Sequence, residues 1–300
     1  AGLPDGVVNV VTGAGTVVGN ALVRDDITKL VSLTGSVRAG RQILEASVPN
    51  LTVVSLELGG KAPFIVMDDA NMDLAVRNAL TARMMNCGQV CTCNERTYVQ
   101  RRVYDEFVGR YTDLAKKLRL GDPMQADTDL GPKVNQAELE KIERMVRRAE
   151  EQGAQVALGG RRPDGDQYRN GFWYEPTVLT NVRNDMDIMQ QEVFGPITPV
   201  MAFDDFEEAI ALANETRYGL SAYVFTNDLR RVMRAVNAVC FGEIYINKIG
   251  PEQLQGFHVG YGWSGQGGED GRHGIERYSR KKTVYLNYGD LPSGGLMPYS

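Results

Sequence analysis

The sequence predicts an α/β fold built on a mostly parallel sheet. Between residues 30 and 247, short β-branched and aromatic runs alternate with longer amphipathic segments, the rhythm of strands that return through helices. Glycine and proline punctuate the junctions. At two places near the start, an apolar run ends in a glycine turn and passes directly into a helical pattern, as a βα unit does.

The elements follow in order. A short buried strand is expected over 7–11, then a turn at Thr12-Gly13-Ala14-Gly15 and a helix from about Thr16. The Gly13, Gly15, Gly19 spacing is one residue longer than the dinucleotide fingerprint, so close helix packing explains it as well as a ligand does. A strand over 30–33 runs into Thr34-Gly35-Ser36-Val37-Arg38-Ala39-Gly40 and a helix to about Ser47. Strand, glycine turn and helix N-terminus together present free N–H groups and a positive dipole end, a natural phosphate cradle. Strands over 52–56 and 62–66 follow. Asp68-Asp69-Ala70-Asn71 caps a helix whose buried face is Met72, Ala75, Val76, Ala79 and Leu80.

Beyond a strand over 96–100, amphipathic helices are expected over 103–118 and 136–152. The second has a stripe of Leu139, Ile142, Val146 and Ala149, with Glu140–Arg144 and Glu143–Arg147 as i,i+4 pairs on its wet side. Short elements then alternate over 155–158, 174–179, 199–203, 206–213, 222–225, 229–238 and 243–247, with a polar loop over 161–171. A glycine-rich stretch leads to a last strand over 283–286, whose edge invites pairing with another subunit. Residues 289–300 complete a loose polar end.

Bulk properties narrow the classes. The chain of 300 residues can bury a sizeable core in more than one lobe, and 43 % apolar with 24 % charged residues suits a soluble enzyme. A net charge of −5 without a long basic run argues against nucleic acid or anionic membrane as partner. No apolar stretch reaches the roughly 20 residues a bilayer span needs, and the N-terminus is no signal peptide. Four cysteines, three of them at 87, 91 and 93, do not form a disulfide framework. A cytoplasmic setting is expected.

The chemistry concentrates in two stretches. Asn86-Cys87-Gly88-Gln89-Val90-Cys91-Thr92-Cys93 joins a helix to a strand through a tight backbone passage. A thiol at such a junction can sit exposed beside outward-pointing N–H groups, which lower its pKa and can hold an oxyanion. Upstream, Glu57 leaves an apolar strand beside Gly59 and Gly60. Partial desolvation there raises a carboxyl group toward the range of a general base. A zinc site of Cys87, Cys91 and Cys93 is disfavoured, because C-x₃-C-x-C lacks a nearby histidine and the wider paired spacing of zinc ligands.

Glu57-Leu58-Gly59-Gly60-Lys61 followed by N-x-G-Q-x-C resembles the aldehyde dehydrogenase superfamily. Matches at Gly2-Leu3-Pro4-Asp5-Gly6, Glu192-Val193-Phe194-Gly195-Pro196, Ser264-Gly265 and Lys282-Thr283-Val284 extend the resemblance along almost the whole chain. It implies a Rossmann-type cofactor half-domain with an α/β catalytic domain. The expected division is 1–58 as part of the cofactor domain, 59–265 as the catalytic domain, and 266–300 as a return to the first and an oligomerisation tail. Among relatives the resemblance is greatest to lactaldehyde and glycolaldehyde dehydrogenases.

The resemblance assigns Cys91, which alone follows G-Q-x, as nucleophile and Glu57 as the base that activates water. It places Gly35, Ser36, Gly40 and Leu58 against NAD, Glu192 on the nicotinamide ribose hydroxyls and Phe194 beside the ring. NADP is not excluded, since the region reading the adenosine ribose lies largely upstream in the family. Lys61, Arg96 and Asn247 are expected to be scaffolding. Glu252 and His258, in a run that departs from the common pattern, are expected to make the aldehyde pocket polar, favouring a hydroxyaldehyde. The family also implies a homo-oligomer, a dimer or tetramer. Its long N-terminal portion is missing here, so the chain is expected to be a C-terminal piece that alone binds dinucleotide poorly. An inactive fragment, a cofactor-independent esterase or thioesterase, a coenzyme A-acylating enzyme and a non-catalytic interaction protein are the competing readings.

Overall fold

A computed structural model of the chain describes residues 2–286 and 288. Its strands are β1 (Leu30–Thr34), β2 (Val53–Glu57), β3 (Ala62–Val66), β4 (Asn94–Gln100), β5 (Gln155–Leu158), β6 (Thr177–Thr180), β7 (Ile197–Phe203), β8 (Tyr218–Gly219), β9 (Ser221–Phe225), β10 (Glu243–Ile246), β11 (Tyr261–Gly262) and β12 (Gly265–Gln266). Seven form one sheet in the order β10-β9-β3-β4-β7-β6-β5, parallel except where β5 meets β6. A second sheet has the order β1-β2-β12, with β1 and β2 parallel and β12 antiparallel. The architecture is the expected α/β with a mostly parallel sheet.

The large sheet is covered on both faces, which is why β3 is a continuous apolar run. Phe64 and Val66 pack with Val99, Phe107, Tyr111 and Phe225 on one side. Ile65 and Tyr98 pack with Leu139, Ile142 and Val146 on the other. The helix Met72–Met84 carries the chain from β3 to β4. Asn71 caps it by accepting the Leu74 N–H at 3.1 Å, and Ala75, Val76 and Ala79 are buried. The helix Gln136–Glu151 buries the expected Leu139, Ile142, Val146 and Ala149. Glu140 and Arg144 pair across its wet face at 3.9 Å, whereas Glu143 turns to Arg162 of the following loop at 2.6 Å.

Two expected strands are absent. Over 7–11 the chain is irregular, with Val7, Val8, Val10 and Val11 60–87 % exposed. The segment at 283–286 is likewise irregular, with Val284, Tyr285 and Leu286 exposed. The cause is the same in both. A strand forms only where a neighbour offers a ladder, and among the described residues neither segment has one. The expected polar end at 289–300 lies outside the described residues.

Candidate active site

Sheet register decides where the two chemical stretches go. The β3–β4 pairing sets Ala62 opposite Asn94, so residues 57–61 and 89–93, which enter these strands, run side by side at the N-terminal edge of the large sheet. Residue 57 is also the last of β2. The segment therefore leaves the C-terminal edge of the small parallel sheet, where ligands of such sheets bind. Gly60 permits the contact, since a Cβ there would stand 2.2 Å from the Cys91 carbonyl oxygen.

Cys91 follows three successive left-handed residues, Asn86, Cys87 and Gly88, with φ of 50°, 58° and 69°. Such strain persists only where surrounding contacts hold it. Gln89 supplies some of them: its Nε2 donates to Asn86 O at 3.0 Å and its Oε1 accepts the Val134 N–H at 2.9 Å. The Cys93 N–H closes a turn on Val90 O at 3.2 Å, and the Tyr223 hydroxyl donates to Thr92 O. The thiol thus stands on a turn leading into a strand. Among the described residues no acceptor takes the Cys91 N–H. The flanking thiols are buried, and burial pushes Cys87 up to about 11 and Cys93 up to about 12. Cys91 is only partly buried.

One cavity of about 580 Å³ is lined by Cys91, Glu57, Gly35, Ser36, Leu58, Glu192 and Phe194, with Gln89, Asn135, Glu138 and Lys141 among its other walls. Ser36 caps the helix Val37–Ser47, its Oγ accepting the Ala39 N–H at 3.2 Å. Gly40 is not in the wall. It lies under Leu58, where an added Cβ would come within 2.7 Å of Leu58 Cδ1, so its part is close packing of helix against loop. Glu192 Oε1 accepts the Gly60 N–H at 2.8 Å, and burial raises its pKa.

Phe194 is left-handed at φ 54°, and its carbonyl accepts from Lys133 Nζ. Behind this loop, Glu95 accepts the Val193 and Phe194 N–H groups at 2.8 and 3.0 Å while pairing with Lys61 (2.8 Å) and Arg83 (2.9 Å). Arg83 Nε donates to Gly195 O at 2.9 Å. Lys61, Arg83 and Glu95 are fully buried. Arg96 ties β3 to the helix Phe206–Asn214 by donating to Lys61 O (3.0 Å) and Ala213 O (2.7 Å). Asn247 braces β9 through the Thr226 backbone.

Glu57 is buried, and among the described residues neither carboxylate oxygen has a hydrogen-bond partner. Burial pushes it up to about 7, with His258 opposing. His258 Nε2 stands 3.4 Å from Glu57 Oε2, and Nδ1 stands 3.1 Å from Glu243 Oε1. The Cys91 thiol first and the Glu243 carboxylate second push His258 up to about 11, against burial. His258 therefore meets Glu57 as well as Cys91, but it is not among the residues lining the cavity, contrary to expectation, because its ring is taken up by the carboxylates of Glu57 and Glu243. Glu252 does not line the cavity: it is exposed on the irregular stretch 250–257, where the expected polar lining has no backbone element to aim it inward. Among the described residues no His, Cys, Asp or Glu cluster could hold a metal, and no helix is long and apolar enough to cross a membrane.

The sequence reading missed Asn135, Glu138, Lys141 and Glu243. Asn135 had a signal, since Asn-x-x-Glu at 135–138 is capping-box spacing, and its Oδ1 accepts the Glu138 N–H at 2.9 Å. Glu243 had none, because its partner is brought to it by tertiary folding.

Comparison with known proteins adds an independent finding. The family model described as "Aldehyde dehydrogenase family" matches residues 1–284. A 3,6-anhydro-alpha-L-galactose dehydrogenase of Streptomyces coelicolor is 52 % identical over 288 residues, covering 96 % of this chain and 58 % of that protein. A lactaldehyde dehydrogenase of Escherichia coli is 47 % identical over 286 residues, covering 95 % and 59 %. The structure of a 3,6-anhydro-L-galactose dehydrogenase in complex with NAP superposes at a TM-score of 0.90 with 50 % identity, covering 92 % of this chain and 58 % of that one. The chain thus spans under two thirds of the length of the curated relatives it matches.

Proposed function

Because this chain belongs to the aldehyde dehydrogenase family, we propose that it carries the covalent and hydrolytic machinery for oxidising an aldehyde to a carboxylic acid with NAD or NADP. The observation that carries the reading is the pairing of two groups in one cavity: a partly exposed thiol, Cys91, and a buried carboxyl, Glu57, that makes no hydrogen bond among the described residues. Cys91 attacks the carbonyl carbon and forms a thiohemiacetal, whose oxyanion can take the Cys91 N–H. Oxidation leaves an acyl group on Cys91. Glu57, with a pKa near the working range, then draws a proton from water, which attacks the thioester.

The donor set fits a dinucleotide. Gly35 and Ser36 stand at the N-terminus of an eleven-residue helix suited to phosphate. Glu192 and Lys141 offer an acceptor and a cation for hydroxyl groups. Leu58 and Phe194 supply apolar walls. When bound, the nicotinamide would be the hydride acceptor. The small sheet with residues 1–58 is taken as the cofactor side and 59–265 as the catalytic side.

A hydroxylated aldehyde is the proposed substrate class. The names of the Streptomyces and E. coli relatives point that way. The four free cysteines suit a cytoplasmic enzyme, and the exposed Val284, Tyr285 and Leu286 suit a homo-oligomer.

Acylation by p-nitrophenyl acetate without cofactor tests the two roles. Wild type should acetylate on Cys91 and turn over, and Glu57→Gln should accumulate acetyl-Cys91, read by peptide mass spectrometry. Acetylation elsewhere, or equal deacylation in both proteins, refutes the assignment. Glycolaldehyde and L-lactaldehyde tested against hexanal with NAD and NADP decide the substrate class.

A further inference from the structure

Glu243 is the first residue of the edge strand β10. Its side chain is 11 % exposed, and among the described residues its one ion-pair partner is His258. Ser221 Oγ donates to its Oε2 at 3.0 Å and the Tyr245 hydroxyl donates to the same oxygen at 3.2 Å. These two bonds fix one oxygen and leave Oε1 facing His258 Nδ1. A carboxylate this enclosed is costly without a countercharge, and among the described residues no lysine or arginine supplies one.

We propose that Glu243 is a positioning residue that holds His258 as an imidazolium turned toward Glu57 and Cys91. The backbone supports the arrangement: His258 N–H donates to Glu269 O at 3.1 Å and Glu269 N–H donates back to His258 O at 2.8 Å. Among the described residues the ring makes no side-chain hydrogen bond to either carboxylate; its contacts are ion pairs, Nδ1 at 3.1 Å from Glu243 Oε1 and Nε2 at 3.4 Å from Glu57 Oε2. The ring is thereby a fixed positive charge between the thiol and the carboxyl. It favours a carboxylate at Glu57 when a base is needed. The charged and titratable groups around it are Glu57 from the end of β2, Glu243 and Tyr245 from β10, Cys91 from the turn before β4, and Glu269 and Arg277, which act on Glu57 from the C-terminal side. The proposal rests on the functional reading above for its meaning, but its physical content is the charge on one ring.

The chain has two histidines, so selective ¹⁵N-histidine labelling of the full chain gives two imidazole spin systems, assigned with His273→Gln. In wild type His258 should be doubly protonated at pH 7.5. In Glu243→Gln its midpoint should fall by about one to three pH units, and in Glu243→Asp, which keeps the charge and serves if the glutamine variant does not fold, it should fall less. A merely structural glutamate would lower the melting temperature without moving the histidine midpoint. An unchanged His258 titration in a folded Glu243 variant overturns the proposal. If instead p-nitrophenyl acetate fails to acylate Cys91 while the His258 midpoint moves as stated, the functional reading falls and the positioning role stands.

Discussion

Glu57→Gln should make the protein more stable at alkaline pH, and the gain should vanish in acid. The folded carboxyl has its pKa at about 7 against 4.5 for an unperturbed glutamate, with burial as the main cause. Such a raised acid destabilises the fold when ionised. Below pH 4.5 the group is neutral in both states and contributes nothing. As pH rises from 4.5 to about 7 the unfolded chain gives up its proton first, so stability falls. The two values lie about 2.5 pH units apart, which at about 1.4 kcal/mol per unit makes a penalty of about 3 kcal/mol above pH 7. An amide escapes it and fits the same space. Urea denaturation of wild type and variant at half-unit steps from pH 4 to pH 8.5 reads the difference directly. The expected curve starts near zero and rises to roughly 2–3 kcal/mol in favour of Gln. A flat difference, or a variant less stable at pH 8, would mean the carboxylate is well satisfied, and the account of Glu57 as a desolvated base would be wrong.

Three further outcomes follow from particular contacts. Gly60→Ala drives a Cβ to 2.2 Å from the Cys91 carbonyl oxygen, so it should cost about 1–3 kcal/mol and slow Cys91 acylation on the order of 10- to 100-fold. Thermal melting and burst kinetics check both, and wild-type acylation would show that the turn absorbs the shift. Glu95→Gln strips Lys61 and Arg83 of their countercharge in a fully buried site and should cost about 3–5 kcal/mol in denaturant unfolding. A loss below about 1 kcal/mol would mean water reaches the cluster. Iodoacetamide at pH 7 should label Cys91 and the exposed Cys240 while sparing the buried Cys87 and Cys93 until urea is added. Early labelling of Cys93, read by mass spectrometry, would contradict the packing of that turn.

What was legible in the sequence and what was not divide along one physical line. A buried central strand announces itself, because both faces of β3 must be apolar and 62–66 therefore reads the same in any context. The meeting of the two chemical stretches follows from the same strands. Cys91 and Glu57 converge because β3 and β4 are parallel neighbours, and Gly60 lets the two backbones touch. The Val-rich run at 7–11 had equally good local credentials and forms no strand. Local pattern states what a segment could pair with and leaves open whether a partner edge is present. Glu143 illustrates the same limit at the scale of one side chain. Helical spacing offers it Arg147, and a loop delivers Arg162 instead.

The residues least legible in advance are those whose chemistry is made by the fold. Glu243 opens a strand with nothing in its neighbourhood to mark it, and His258 lies on an irregular glycine-rich stretch. Antiparallel pairing of β12 with β2, placing Gly265 opposite Glu57, draws that stretch back over the cysteine turn. Only then do three carboxylates, Glu57, Glu243 and Glu269, surround one imidazole and one thiol. Glu57 and His258 are each shifted by neighbours that only the fold supplies, so no spacing in the chain could have encoded it. The same reasoning explains why the motif pair alone underdetermines the chemistry. Cys91 and Glu57 are the proposed nucleophile and base, but the imidazole that opposes the effect of burial on Glu57 comes from the far end of the chain.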